Sequence, residues 1–184
     1  MALRADKYFQ DYDVEVTLYH GKERRNYVYK GDLYVRRVTD KARQKERAAY
    51  VILSILSAVL LAAAMLQPSD INVGGFFAAC SILELIPAFC IAEGSAEAFF
   101  RKGDLKKSNY QERLLMLRVM PVIGAVLGIV LSAGYLYGAL QESAAGANAA
   151  ALMCAAASAV CDILIAVREF RIGYQIIPGE RNRG

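Results

Sequence analysis

The chain has 184 residues, of which 56% are apolar and 22% are charged, and its formal net charge is +4. A chain of this length could bury an adequate core as one soluble domain, but its charges are not spread as such a fold requires. The 22 Lys and Arg residues fall into three blocks separated by long apolar windows. This distribution favours membrane insertion over a soluble globular fold.

The first predicted element is a polar N-terminal segment with short strands, residues 1–38. Apolar and polar residues alternate from Val14 to Leu18, a pattern typical of a strand. Two further strand-like runs follow, each after a glycine-containing turn, at residues 27–29 and 33–35. We expect a small β-meander, which has too little apolar surface to be stable alone.

The same segment is rich in tyrosine and arginine. Such a mixture can bind single-stranded nucleic acid by stacking and charge, but tyrosine also favours strands and the membrane interface. No nucleic-acid partner is therefore predicted. Two interpretations stay open: a structural module that rests on the membrane, and a docking surface for a cytoplasmic partner.

Residues 39–184 are predicted to form an all-α membrane domain. Four apolar windows each have roughly the 17 to 25 residues that a helix needs to cross the hydrocarbon layer. We predict transmembrane helices 1 to 4 at residues 49–66, 73–92, 114–138 and 147–167. The basic stretch from Asp40 to Arg47 is expected to lead helically into helix 1 and to contact anionic lipid.

The Lys and Arg residues predict the topology. There are 12 before the first window, 6 from Arg101 to Arg118 and 4 from Arg168 onward, and none in the two remaining loops. Because loops rich in Lys and Arg stay in the cytoplasm, both termini and the central loop are predicted to be cytoplasmic in a multi-pass protein of the cell membrane. The outer loops are short, so the helices should form two antiparallel hairpins.

Small residues predict close helix contacts in helices 3 and 4. Helix 4 is built largely from alanine, with Ala156 near its centre, and four glycines of helix 3 form two pairs with four-residue spacing: Gly124, Gly128, Gly134 and Gly138. Small residues let helix backbones approach closely. The contacts could lie within the bundle, in a homo-oligomer, or against other membrane subunits. Pro87 and Pro121 are expected to kink helices 2 and 3.

Two acidic residues are predicted at bilayer depth, where a charge is costly and often marks a functional site. Glu84 lies halfway along helix 2 and Asp162 lies on helix 4. Glu84 is either a proton or cation site or a protonated or hydrogen-bonded structural carboxyl. Asp162 could share that site, or it could pair with a basic residue such as Arg118 or Arg168.

No catalytic motif is visible. The chain lacks a nucleophile elbow, a phosphate-binding glycine loop and a metal-ligand cluster, and its one histidine, His20, precedes the apolar windows. All four cysteines lie inside those windows, where cysteine usually packs as a small apolar residue. We therefore predict a protein that is not an enzyme and has no catalytic residue, metal site or other cofactor.

Two functions remain, of which the first is an accessory, assembly or interaction subunit of a membrane complex. The alternative is a small proton- or cation-coupled transporter that uses Glu84. A transporter should place Glu84 in a water-accessible cavity, whereas a structural subunit should bury it against a single hydrogen-bonding neighbour.

Overall fold

The computed structural model describes residues 11–19, 22–36, 40–69, 75–100, 105–141 and 145–179. The chain divides into two compact units. The strand unit combines three separate stretches, Met1–Arg37, Gly103–Gln111 and Gly173–Gly184. The helix unit consists of Val38–Lys102 and Glu112–Ile172.

Five short strands are described in the strand unit: β1 (Tyr12–Tyr19), β2 (Lys22–Tyr29), β3 (Leu33–Arg36), β4 (Leu105–Lys106) and β5 (Tyr174–Ile177). β1 and β2 form an antiparallel hairpin in which Tyr12 lies opposite Tyr29. β3 is the central strand of a separate antiparallel sheet with the order β4-β3-β5. This second sheet therefore joins the N-terminal segment, the central loop and the C-terminal tail.

The three predicted strands form, but the third does not continue the hairpin as a meander would. The hydroxyl of Tyr29 donates to the Asp32 carbonyl at 2.9 Å and accepts the backbone N–H of Lys107 at 3.1 Å. These bonds fix the turn after β2 and tie it to the central loop, so β3 pairs with β4 and β5 instead of β2. Burial raises the pKa of the Tyr29 hydroxyl, and the hydrogen bond from Lys107 acts in the opposite direction.

Tyrosine rings pack against one another in the strand unit. The rings of Tyr34 and Tyr110 are stacked with centroids 4.0 Å apart, and Tyr174 packs edge-on against Tyr110 at 4.9 Å. These three residues come from β3, from the first turn of the helix that begins at Lys107, and from β5. Aromatic pairs of this kind stabilise a unit whose strands are too short to form a large aliphatic core.

The helix unit contains α1 (Asp40–Met65), α2 (Gly75–Phe100), α3 (Lys107–Leu140) and α4 (Ala145–Arg171), with the first turn of α3 belonging to the strand unit. Within the described chain, these are the four helices that are long and apolar enough to cross a membrane. Each predicted window falls almost entirely within one of them. α1 begins at Asp40, so the predicted lead into helix 1 is part of the same helix.

α3 contains a π-helical turn, Leu115–Val119, directly before Pro121. The backbone N–H of Met120 bonds to the carbonyl of Leu115, five residues earlier. A proline ring crowds the carbonyl four residues before it, here that of Leu117, and removes one hydrogen bond. The wider π turn accommodates the ring and accounts for the distortion that the proline predicts.

The four helices pack so that α4 contacts α1 and α3, and α2 contacts the same two helices. In the most apolar window of α4, 44% of the residues are buried, compared with 28% in α1 and in α2. The best-packed cluster combines small residues with two large ones: Ala64, Cys80, Leu131, Tyr135, Ala151 and Ala155. The alanines of α4 therefore bring its backbone close to α1 and α3.

Candidate functional site

Glu84 lies inside the helix unit on the buried face of α2. Buried residues recur on this helix at spacings of three and four: Cys80, Ser81, Glu84, Pro87 and Ile91. Glu84 is 1% exposed, and neither of its carboxylate oxygens has a hydrogen-bond partner among the described residues. Pro87 follows within one turn and removes a backbone donor from the same stretch of α2.

Asp162 is also enclosed, but it is hydrogen-bonded. Its side chain on α4 is 3% exposed, and its Oδ1 accepts the hydroxyl of Ser57 on α1 at 2.8 Å. The hydroxyls of Ser57 and Ser158 lie 2.9 Å apart, and Ser158 also donates to the Ser57 carbonyl at 3.1 Å. The hydroxyls of Ser57 on α1 and Ser158 on α4 therefore lie on one side of this carboxylate, and Ser57 bonds to it.

The two acids meet the same face of α3, at two of the predicted packing glycines. A Cβ atom placed on Gly128 would lie 3.1 Å from Glu84 Oε1 and 3.0 Å from the Cβ of Ala159. A Cβ placed on Gly124 would lie 2.5 Å from Asp162 Oδ2. The glycines thus leave the space that the carboxyl groups occupy, and the two acids are close enough to interact electrostatically.

The other predicted packing residues lie away from the acids. A side chain on Gly134 would overlap the ring of Phe77 on α2, and Gly138 is buried further along α3. Ala156 is exposed, whereas Ala155 beside it is fully buried. Ala156 therefore makes no close contact within the bundle, and its predicted role in contacts with another chain stays a prediction.

Tyr135 and Ser81 complete the surroundings of Glu84. Tyr135 on α3 is fully buried, hydrogen-bonds to the Ser81 side chain and lies within electrostatic range of Glu84. Neither residue was predicted from the sequence to belong to the site. A signal was present, because Ser81 stands one helical turn before Glu84 and a tyrosine deep within an apolar window needs a polar partner.

A second buried polar cluster lies at the end of the helix unit where α1 begins and α4 ends. Glu169 is fully buried, its Oε2 accepts the hydroxyl of Tyr50 at 2.6 Å, and its Oε1 forms an ion pair with Arg113 Nε at 3.2 Å. Arg118 donates to the Glu169 carbonyl at 3.0 Å and lies over the ring of Phe170. Arg118 therefore bonds to Glu169, whereas Asp162 accepts its hydrogen bond from Ser57.

At the opposite end, Ser69 hydrogen-bonds to Asn148 and both side chains are buried. The three polar clusters therefore lie one after another along α4. Glu84 and Asp162 belong to the middle cluster. Ionisable groups that face one another inside an apolar bundle can exchange protons or bind a cation. Within the described chain, no group of three or more His, Cys, Asp or Glu residues is arranged to hold a metal ion.

Comparison of the chain with protein-family models, with curated proteins and with solved structures gives no match. What the chain does is therefore inferred from its own residues.

Proposed function

We propose that this chain is a multi-pass protein of the cell membrane whose N-terminus, central loop and C-terminus are cytoplasmic. The partition of Lys and Arg supports this topology. The β4-β3-β5 sheet supports it independently, because its strands come from the same three segments. Strands can pair in this way only if all three segments lie on one side of the membrane.

The helices then form two antiparallel hairpins, α1 with α2 and α3 with α4. Contacts between helices support opposite chain directions for neighbours. Between α3 and α4, Gly124 lies beside Asp162 and Gly128 beside Ala159. Between α1 and α2, Gln44 lines one groove with Phe99, and Met65 lines another with Ala78. Residue numbers therefore increase along one helix of each pair as they decrease along the other. The exposed apolar side chains on the outward faces then contact lipid: Ile52, Ile55, Val59, Phe89, Val126, Ile129, Val160 and Ile163.

Within this bundle, the Glu84–Asp162 pair takes up and releases a proton, and the protein is a small proton-coupled transporter. The proposal rests on the surroundings of Glu84, which is only 1% exposed. Neither of its carboxylate oxygens has a hydrogen-bond partner among the described residues. A carboxylate enclosed in this way is costly unless a proton or a cation neutralises it. A purely structural carboxyl would be expected to have a hydrogen-bonding neighbour.

A proton fits the site better than a metal cation. Hard cations need several oxygen ligands around them, whereas the neighbours of Glu84 Oε1 around Gly128 are the Cβ of Ala159 and a single carbonyl oxygen, that of Ala155. The hydroxyl of Ser57 already donates to Asp162, and that of Ser158 lies within hydrogen-bond distance of Ser57. A proton requires only one carboxyl oxygen.

The water-accessible cavity that a transporter was expected to place around Glu84 is not seen among the described residues, because Glu84 is 1% exposed and lines neither of the grooves described on the helix unit. Proton release therefore requires the helices to move, as in alternating access. Pro87 weakens the backbone bonding of α2 next to Glu84, so this helix is the element suited to bend.

The test is proton uptake by the protein in lipid nanodiscs, measured with a pH-sensitive dye in weak buffer. Glu84→Gln keeps the shape of the side chain but cannot ionise, and it should remove one proton from the uptake curve. The matched control is Phe89→Leu, since Phe89 is exposed on the same helix and carries no titratable group. If the Glu84→Gln variant takes up as many protons as the wild-type protein, Glu84 does not exchange its proton.

A second candidate is the accessory or assembly subunit, favoured by the β1–β2 hairpin. Val14 is 50% exposed and Tyr27 opposite it 60%, while Val16, two residues along the same face, is 54% exposed. Exposed apolar faces of this kind commonly mark contacts with partners. On this proposal, a cytoplasmic partner binds the hairpin, and other membrane subunits or further copies of the chain bind α3 and α4.

Co-purification in mild detergent tests this second candidate. Val14→Asp combined with Val16→Asp should release a bound partner, whereas Gln175→Asp, an exposed change on β5, should not. Retention of the partner by the double variant would exclude the hairpin as the contact.

A further inference from the structure

Two arginines of α3 meet the end of α4 at a single acidic residue. Arg113 Nε lies 3.2 Å from Glu169 Oε1, and Arg118 Nη2 donates to the backbone carbonyl of Glu169 at 3.0 Å. Among the described residues, Glu169 supplies the only carboxylate that bonds to either guanidinium. Two positive charges are therefore matched by one negative charge at this end of the helix unit.

The π-helical turn of α3 helps to bring the two arginines to Glu169. Consecutive residues of an α-helix are separated by about 100°, so residues 113 and 118 would lie about 140° apart on a regular helix. The turn Leu115–Val119 rotates the chain less per residue, because its hydrogen bonds span five residues instead of four. The angle between the two arginines is thereby reduced. π turns of this kind are frequent at functional sites.

Both arginines keep N–H groups that the described residues do not satisfy. Arg113 is 7% exposed, and its Nη2 is buried with no hydrogen-bond partner in the described part of the chain. Arg118 Nε is buried and unpartnered in the same sense. An unpaired buried donor is costly, and an unmatched charge is more costly. Water brings no charge, so the excess positive charge favours an anion as the missing partner.

Arg118 is the arginine of this pair that an anion can reach. It is partly exposed, and its guanidinium lies over the ring of Phe170 at 5.2 Å. Phe170 is 59% exposed, so Arg118 and Phe170 lie together at the outward face of the helix unit. In the topology proposed above, this face lies at the level of the inner lipid headgroups.

Apolar surface continues from Arg118 and Phe170 along both helices. Exposed apolar side chains recur at spacings of three and four, on α4 before Phe170 and on α3 after Arg118: Val160, Ile163, Val167, Val119, Val122 and Val126. A cation beside two apolar strips matches a phospholipid, whose phosphate is negative and whose chains are apolar. A free phosphate would use the cation alone.

We propose that Arg118 binds the phosphate of an anionic phospholipid in the inner leaflet, with the acyl chains along the two apolar strips. The phosphate balances the charge that Glu169 leaves unmatched, and the guanidinium keeps N–H groups for its oxygens. Arg113 is a positioning residue, because its ion pair fixes Glu169 beside Arg118. The site takes only the topology from the proposed function and does not depend on proton uptake by Glu84.

The test is lipid retention by the full chain in high salt, which screens exposed charges more than enclosed ones. The protein is equilibrated in micelles containing equal amounts of phosphatidylglycerol and phosphatidylcholine, and bound lipid is counted by native mass spectrometry. The wild-type protein should retain phosphatidylglycerol in preference to phosphatidylcholine. Arg118→Gln should lower this retention about tenfold, the loss expected for one charge-assisted hydrogen bond. Because micelles have no sides, the result is independent of the topology.

The matched control is Arg168→Gln, which removes the same charge from the same end of the helix unit. Arg168 is exposed and lies two residues, or about 200° around α4, from Phe170, so this variant should retain lipid as the wild type does. Arg118→Lys keeps the charge without the planar fork and should give intermediate retention.

Three results would overturn the proposal. The first is equal retention of the two lipids by the wild-type protein, which needs no variant to fold. The second is an equal loss of phosphatidylglycerol in Arg118→Gln and Arg168→Gln, which would indicate a general attraction to basic residues. The third is displacement of phosphatidylglycerol by millimolar inorganic phosphate, which would assign the site to a free anion.

Discussion

The contact between Gly128 and the acid pair predicts a specific loss of stability in Gly128→Ala. The added methyl would lie 3.0 Å from the Cβ of Ala159 and 3.1 Å from Glu84 Oε1, whereas carbon atoms in contact prefer about 3.5 to 4.0 Å. α3 must therefore move away from α4, or Glu84 must leave its place. Overpacking of this kind costs about 1 to 3 kcal/mol.

Part of this cost is offset, because alanine is favoured over glycine inside a helix by roughly 0.5 to 1 kcal/mol. A net destabilisation of up to about 2.5 kcal/mol follows from these two terms. Reversible unfolding in mixed micelles measures it. The control is Gly146→Ala, because a Cβ at this position has no atom within 4 Å. This variant should be as stable as the wild-type protein or slightly more stable. Equal stability of the two variants would refute the close contact.

Three further predictions follow from the same packing and topology. A cysteine replacing Pro68 should react with a membrane-impermeant reagent on intact cells, whereas one replacing Gln175 should react only after permeabilisation; labelling of position 175 from outside would overturn the topology. Ala155→Leu should destabilise the bundle by about 1 to 3 kcal/mol, while Ala156→Leu should have little effect because Ala156 is exposed; equal melting temperatures in detergent would contradict this assignment. Glu169→Gln should cost roughly 3 to 5 kcal/mol, because it leaves a buried guanidinium without its counter-charge; an unfolding titration close to that of the wild type would show that this ion pair is not needed.

The four helices could be predicted because each depends on a local property of the sequence. A run of apolar residues long enough to cross a membrane is visible without knowledge of its neighbours. The spacing of Gly124 and Gly128 likewise predicted a close contact. The sequence did not show that the neighbours at this contact are Glu84 and Asp162, because that depends on how each helix is rotated about its axis.

Pairings between residues that are distant in the chain could not be predicted from the sequence. β4 has two residues and β5 has four, so neither carries enough alternation to predict a strand or its partner. Glu169 lies beside Arg168 and Arg171 in the sequence and resembles a solvated residue, yet it is buried against Arg113, 56 positions away. Ala156 and Ala155 are indistinguishable by composition, and only the rotation of α4 separates them.

The acid pair was partly predictable. Glu84 and Asp162 were singled out because charge is costly at bilayer depth. Ser81 and Tyr135, which lie near Glu84, were not, since hydroxyl groups are common in membrane helices and acquire meaning only through what they face. The lack of a hydrogen bond to Glu84 is likewise a property of three-dimensional packing.

Infrared difference spectroscopy of the protein in lipid bilayers, recorded while the pH is changed, tests the proton-binding role of Glu84 most directly. We predict a pH-dependent component of the protonated carboxyl band that is lost in Glu84→Gln and retained in Glu93→Gln. A pH-dependent carboxyl band that is unchanged in Glu84→Gln would contradict the assignment of the proton to Glu84, as would the absence of any such band in the wild-type protein.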